Sequence, residues 1–303
     1  MLKVELAYWI NERYRIKLAK DAQCTPPWST DKTFQTVRFC NVHREDDRVT
    51  RWLRTHWNRP GDPAWRYVVG RLINWPDSLA EVINCDYPWQ MKDTLKRRRD
   101  LGGKVFTSAY TVSTCGRSMD KLDYVFDHVA PRAMAAQAAG EPTTLEDAHF
   151  WLSNVDGLGS FLAAQVVADM KNTAGHVLQQ APDWWTWSAP GPGSLRGLGW
   201  FFYHEQRSIT ARDYPEYFDR CRQEVDPLVN PEVPRISAQD FQNCLCEFSK
   251  WCKVSYDNGH VRNKYDAFLS ASRAVQPAVQ HAGARHPADG KWVALAAVQS
   301  DAA

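Results

Sequence analysis

The sequence has no apolar run near the ~18 residues that a membrane-spanning helix needs, so neither a transmembrane helix nor a membrane partner is expected. It has no G-x-x-x-x-G-K-[ST] stretch, and Gly102-Gly103-Lys104-Val105 does not complete one, which argues against a P-loop kinase. It lacks paired C-x-x-C spacing: the tightest cysteine group is Cys244-x-Cys246-x5-Cys252, with Cys221 upstream. The eight cysteines therefore read as buried helix thiols, with no metal site and no disulfide framework expected. Charge of one sign is scarce too. Lys+Arg number 37 against 35 Asp+Glu, a net +2, so any nucleic-acid contact must come from local clusters. No repeat period is visible. The opening MLKVELAYWINERYRIK lacks the apolar core of a signal peptide, and a cytoplasmic location is expected.

Aromatic residues are abundant: 14 Trp, 11 Tyr and 12 Phe, which suits a core of large rings, base stacking, or both. Helical periodicity dominates, over 5–20, 41–58, 64–74, 120–138, 143–152, 160–174, 194–207, 214–225 and 237–254, as in Phe241, Leu245, Phe248 and Cys252. One isolated β-rich stretch, 105–112, reads as a strand. The fold class is mainly α. Residues 1–273 read as a single helical domain, and 274–303, rich in Ala, Gln and His, as a loosely ordered tail.

Four stretches carry chemistry. In 152–171, a turn through Gly157-Leu158-Gly159 joins two helices, the second opening at Ser160, in the pattern of a helix-hairpin-helix. Its glycines permit positive φ, and its free N–H groups suit a DNA phosphate; a plain αα-turn with a glycine cap has the same pattern. In 188–202, Gly191 and Gly193 precede a helix opening near Ser194, with Arg196 in its first turn. This reads as an anion cradle or as a rigid surface loop. In 38–53, placed on one helix, Arg44, Asp47, Arg48 and Arg51 lie opposite Val42, Val49, Trp52 and Leu53. That stripe is either a solvated salt-bridge face or a guanidinium cluster for phosphates. In 237–253, Asn243, Glu247 and Lys250 form a polar edge, either a surface ion pair or a carboxylate able to take a proton. Positive residues thus gather at 38–51, Lys96–Arg99 and Arg196, and Trp184, Trp185 and Trp187 are candidate walls of a base pocket.

Taken together these stretches resemble a phage-centred family, the α-glutamyl/putrescinyl-thymine pyrophosphorylases or amino acid:DNA transferases, with the related helical domain of 5-hydroxymethyluracil DNA kinases. The resemblance rests on Pro27-Trp28 and Asp31; on Arg38-Phe39, Asn41-Val42, Arg44-Glu45 and Asp47; on Gly191-Pro192-Gly193-Ser194 with Arg196-Gly197-Leu198; and on Gln242-Asn243 with Cys246-Glu247-Phe248 and Lys250. These motifs span about 12–255. Trp251 stands where the family pattern has Tyr, keeping a ring and losing a hydroxyl.

The resemblance implies a helix-hairpin-helix glycosylase-like fold acting on double-stranded phage DNA in the infected host's cytoplasm. There an amine or amino acid displaces pyrophosphate from a flipped 5-(pyrophosphoryloxymethyl)uracil. On that basis Arg38, Asn41, Gly191, Gly193, Ser194, Arg196 and Asn243 are expected to hold substrate and pyrophosphate, and Gly157, Gly159 and Ser160 the DNA. Arg44, Asp47, Glu247 and Lys250 are expected to carry the chemistry, with Glu247 or Asp47 as base. No cofactor is expected; whether a divalent ion assists is open at this stage. Two alternatives stand beside this. One is a non-catalytic DNA-binding domain partnering a hydroxymethyluracil kinase. The other is a glycosylase whose carboxylate is Asp183, since the turn 189–193 carries none.

Overall fold

Buried apolar side chains recur every three or four residues along most of the chain, closing each segment into a helix with one inward stripe. The computed structural model describes residues 1–59, 61–107, 112–137, 140–257 and 259. In order, these form α1 (Lys3–Asp21), α2 (Lys32–Thr36), α3 (Arg48–Trp52, continuing as a wider π-turn over Leu53–Trp57), α4 (Ala64–Ile73), α5 (Pro76–Glu81) and α6 (Pro88–Asp100). Then come α7 (Lys121–Asp123, widening over Tyr124–Val129), α8 (Ala130–Gln137), α9 (Leu145–Ser153), α10 (Gly159–Lys171), α11 (Pro192–Tyr203), α12 (Tyr214–Val225) and α13 (Ala238–Asp257). The fold is mainly helical, and no strand forms among the described residues.

The apolar side chains separate into two cores. One holds residues between Leu53 and Ala181, among them Trp57, Tyr67, Tyr124 and Val166. The other joins the chain's beginning (Leu6, Trp9, Phe39) to α11–α13 (Phe201, Phe218, Phe248). The chain therefore starts in a terminal lobe, crosses at about 43–52, builds a middle lobe, and crosses back through about 182–194.

A buried polar seam joins the lobes. Arg71 of α4 grips Asp169 of α10 with two hydrogen bonds, Nε to Oδ2 at 2.6 Å and Nη2 to Oδ1. Arg44, on the crossing segment, brings Nη2 to 3.7 Å from that Oδ1 and donates Nη1 to Gln165. Beside them the buried Lys171 donates to Ser237 (3.3 Å), whose hydroxyl donates to Asp240 (2.7 Å). Burial lowers the Lys171 pKa to about 8, with Asp240 favouring its charge.

Three expectations are corrected. The helix over 41–58 begins only at Arg48, because the Cys40 and Arg44 N–H groups bond to side chains of α13 and the Asn41 N–H to Asp47 rather than to a helix of their own. Arg44 and Asp47 therefore do not share a helical face with Arg48 and Arg51. The strand over 105–112 is absent from its described residues, 105–107 and 112, where Val105 and Val112 simply plug the middle core; 108–111 lie outside the described residues. The helix over 194–207 stops at Tyr203, where His204 turns left-handed at φ 61°. Three helices also went unforeseen: α2, α5 and α6. Only Met91 and Leu95 of α6 are buried, too thin a stripe to stand out among its charges. The expected tail, 274–303, lies outside the described residues.

Within the terminal lobe α11 and α13 cross at backbone contact. A Cβ on Gly197 would run into the Leu245 carbonyl, and one on Gly193 into the Cys246 sulfur. Gly197→Val is expected to force the helices apart and lower stability by about 1–3 kcal/mol, read as a reduced urea midpoint.

Candidate functional site

The segment 40–44, which leads into a 3-10 turn at Arg44–Asp46, runs antiparallel to α13. The Cys40 N–H donates to Glu247 Oε2 (3.2 Å), the Val42 carbonyl accepts from the Cys244 thiol (3.8 Å), and the Arg44 N–H donates to Asp240 Oδ1 (3.0 Å). Each step forward along the segment is a step back along α13, whose residues 240, 243, 247 and 250 line one stripe. Arg13 holds the segment from the opposite side. This buried arginine donates Nε to the Cys40 carbonyl (2.9 Å) and Nη2 to Asn41 Oδ1 (2.5 Å). Asn41 turns its amide onto Asp47 Oδ1 (3.1 Å) and the Asp46 carbonyl (3.0 Å), folding 41–47 into a closed loop.

The expected residues Asn41, Asp47, Glu247 and Lys250 are thus brought together. Their two carboxylates sit in different surroundings. Glu247, buried, has one oxygen on Lys250 Nζ (2.5 Å) and the other on the Cys40 N–H, so both are committed. Burial opposes the charge on Lys250, but Glu247 more than offsets it and holds Lys250 above the ordinary lysine value. Asp47 has no such lysine. Burial pushes its pKa up, against Arg44 and the Asn41 N–H, and the Glu247 charge adds to the rise. Burial and Glu247 likewise push the Cys246 thiol to about 11, keeping it protonated at neutral pH.

The model of the helical domain of 5-hmdU DNA kinase matches residues 2–260. The chain belongs to this family. No curated protein and no solved structure matches it.

The helical-domain match takes in both lobes and the whole carboxylate cluster. Arg38, two residues before Cys40, is exposed and Arg196 is half-buried, and neither makes a hydrogen bond or ion pair among the described residues; Arg196 lies close enough to Cys246 to act on its thiol. Asn243 is half-buried on the α13 stripe. Other expected residues are committed elsewhere. Ser194 Oγ donates to the Gly191 carbonyl (3.0 Å) and accepts from the Gly191 N–H and Gln242 (both 3.1 Å), so it caps α11. Gly191 and Gly193 serve the close approach of α11 to α13. Arg44 clamps the lobes. Gly157 sits at φ +108°, where a Cβ would also strike Tyr124 and Val129, while Gly159, at φ +60°, faces open space. The Ser160 carbonyl and hydroxyl lie 3.0 and 3.1 Å from His149 Nε2.

Asp183 accepts the Leu145 N–H (2.9 Å) and the Glu146 N–H (3.0 Å), which makes it an anchor for the start of α9. Each tryptophan after it has a neighbour on its ring, Lys171 over Trp184 (4.2 Å), Arg235 over Trp185 (4.0 Å) and His149 on Trp187 (5.2 Å), while Trp185 stays exposed. Trp251, which has no hydroxyl, donates its indole N–H to Asp31 (3.0 Å). Among the described residues no group of three His, Cys, Asp or Glu could hold a metal. A groove of about 460 Å³ lies on the α1 face opposite Arg13, between Tyr8, Tyr14 and Leu228, away from the cluster. Arg13, Arg71, Asp169 and Asp240 were missed. Arg13 did carry a signal, a lone charge on the apolar stripe Leu6, Trp9, Ile10 and Ile16.

A carboxylate whose native pKa is raised binds its proton more tightly folded than unfolded, so stability falls as pH rises from the unfolded to the native value. Asp47→Asn keeps an oxygen for Asn41 and removes the buried charge. It is expected to be more stable than wild type at neutral pH, with the gap closing below the ordinary aspartate pKa. Urea unfolding at pH 3–8 reads this directly.

Proposed function

We propose that the chain is a DNA base-modifying transferase that replaces the pyrophosphate of a 5-(pyrophosphoryloxymethyl)uracil with an amine or amino acid. The observation that carries this reading is the pairing at one site of two unlike carboxylates, Asp47 and Glu247, with an uncommitted cation, Arg196, beside Cys246 on α13 and an exposed one, Arg38, two residues before Cys40. Membership of a hydroxymethyluracil DNA kinase family supports the substrate class.

The target base leaves the stack to reach the site. Arg38 and Arg196, with the Asn243 amide, neutralise the pyrophosphate as the carbon–oxygen bond at the exocyclic methylene breaks and pyrophosphate takes the electron pair. Asp47, with its pKa raised, accepts a proton from the incoming ammonium, and the freed nitrogen lone pair forms the carbon–nitrogen bond. Glu247 fixes Lys250 and the Cys40 backbone, setting the distance between the two reacting sides. The hairpin 157–160 faces the DNA backbone. The glycosidic bond is untouched, in keeping with Asp183 serving as an anchor for α9.

Nucleoside mass spectrometry after incubation with pyrophosphorylated hydroxymethyluracil DNA and a panel of amines tests this. A heavier nucleoside in intact DNA is expected, and Asp47→Asn should cut its formation by about 10²–10⁴-fold while remaining folded. Abasic DNA, or unchanged nucleosides with every amine, overturns the reading.

A further inference from the structure

The acidic run Glu45-Asp46-Asp47 precedes Arg48 and Arg51, and on sequence alone the two signs balance. The structure separates them. Glu45 is paired with Arg54. Asp46 is 3.3 Å from Lys17. Asp47 turns inward onto Asn41. Arg48 and Arg51 are left exposed on α3, three residues apart, with no carboxylate at ion-pair distance among the described residues; Arg51 touches only the Asp46 carbonyl, at 3.2 Å. The other basic run fares differently. Lys96 pairs with Asp123 (2.6 Å), Arg98 with Glu81 and Arg99 with Asp120 (2.5 Å), so most of its charge is cancelled.

The two uncompensated guanidinium groups are also held in place. Val49 and Trp52 pack the other side of α3 on the middle-lobe core, Thr50 is buried, and Leu53 continues into it. The Asn41–Asp47 bond ties the start of α3 to the carboxylate cluster. A rigid, unpaired positive face beside a site is complementary to a polyanion laid across it.

We propose that Arg48 and Arg51 form a docking face for the phosphate backbone of the DNA, delivering the strand to the neighbouring Asp47–Glu247 site. This rests on the reading that DNA is the substrate. It assigns strand positioning to a surface distinct from the hairpin at 157–160.

The test is fluorescence anisotropy of the full chain with a hydroxymethyluracil duplex over a series of salt concentrations, comparing wild type, R48A/R51A and R48K/R51K. Each lost phosphate contact lowers the slope of log affinity against log salt by about 0.9. R48A/R51A is therefore expected to lose about two in slope and bind more weakly at low salt, while R48K/R51K keeps the slope. An unchanged slope in R48A/R51A overturns the docking face and leaves the DNA substrate standing. A wild-type chain that binds no duplex at any salt overturns both.

Discussion

Two arginines close on one buried carboxylate. Asp169 lies within the middle lobe with Arg71 bonded to both its oxygens, and Arg44 reaches it from the segment that α13 anchors. Removing one partner from such a buried cluster costs about 3–5 kcal/mol, because the remaining charges are left without water or counterion. The clamp therefore fixes where the crossing segment sits. That segment carries Asn41 and Asp47 on one side and Arg48 and Arg51 on the other, so the carboxylate cluster and the proposed docking face depend on the same contact.

Ahead of α3 the chain leaves the helical pattern expected there, and the Cys40 and Arg44 N–H groups find acceptors on α13 instead. This makes α13 a ruler. Asp240 sets the end next to the lobe seam, and Glu247 the end next to Lys250. Glycines at 193 and 197 let α11 approach the same helix closely enough to bring Arg196 alongside. Glu247 is paired with Lys250 and the Cys40 N–H while burial leaves Asp47 reluctant to ionise, and that difference underlies the proposed division between a structural carboxylate and a proton acceptor.

Much of the architecture was legible in residue spacing. Long amphipathic helices such as α1, α12 and α13 are visible because their buried positions repeat over three or more turns. The segment 41–58 misled because its apolar spacing fits a helix, while its true partners, Asp240 and Glu247, are about two hundred residues away. The cluster of Asn41, Asp47, Glu247 and Lys250 could be named from its motifs. The division of labour among the named residues could not. Ser194 and Arg44 are polar residues in suggestive places, and only the fold reveals that one caps a helix and the other joins two lobes. Asp169 and Arg71, set in apolar helices, gave no local sign of each other.

Hydrogen exchange read by mass spectrometry on Asp169→Asn tests this dependence most directly. The account predicts that loosening the clamp speeds exchange in peptides covering 39–47, while α6, whose ion pairs run to Glu81, Asp120, Asp123 and Asp127 and not to the seam, exchanges as in wild type. Unchanged protection across 39–47 in a folded Asp169→Asn chain would contradict it.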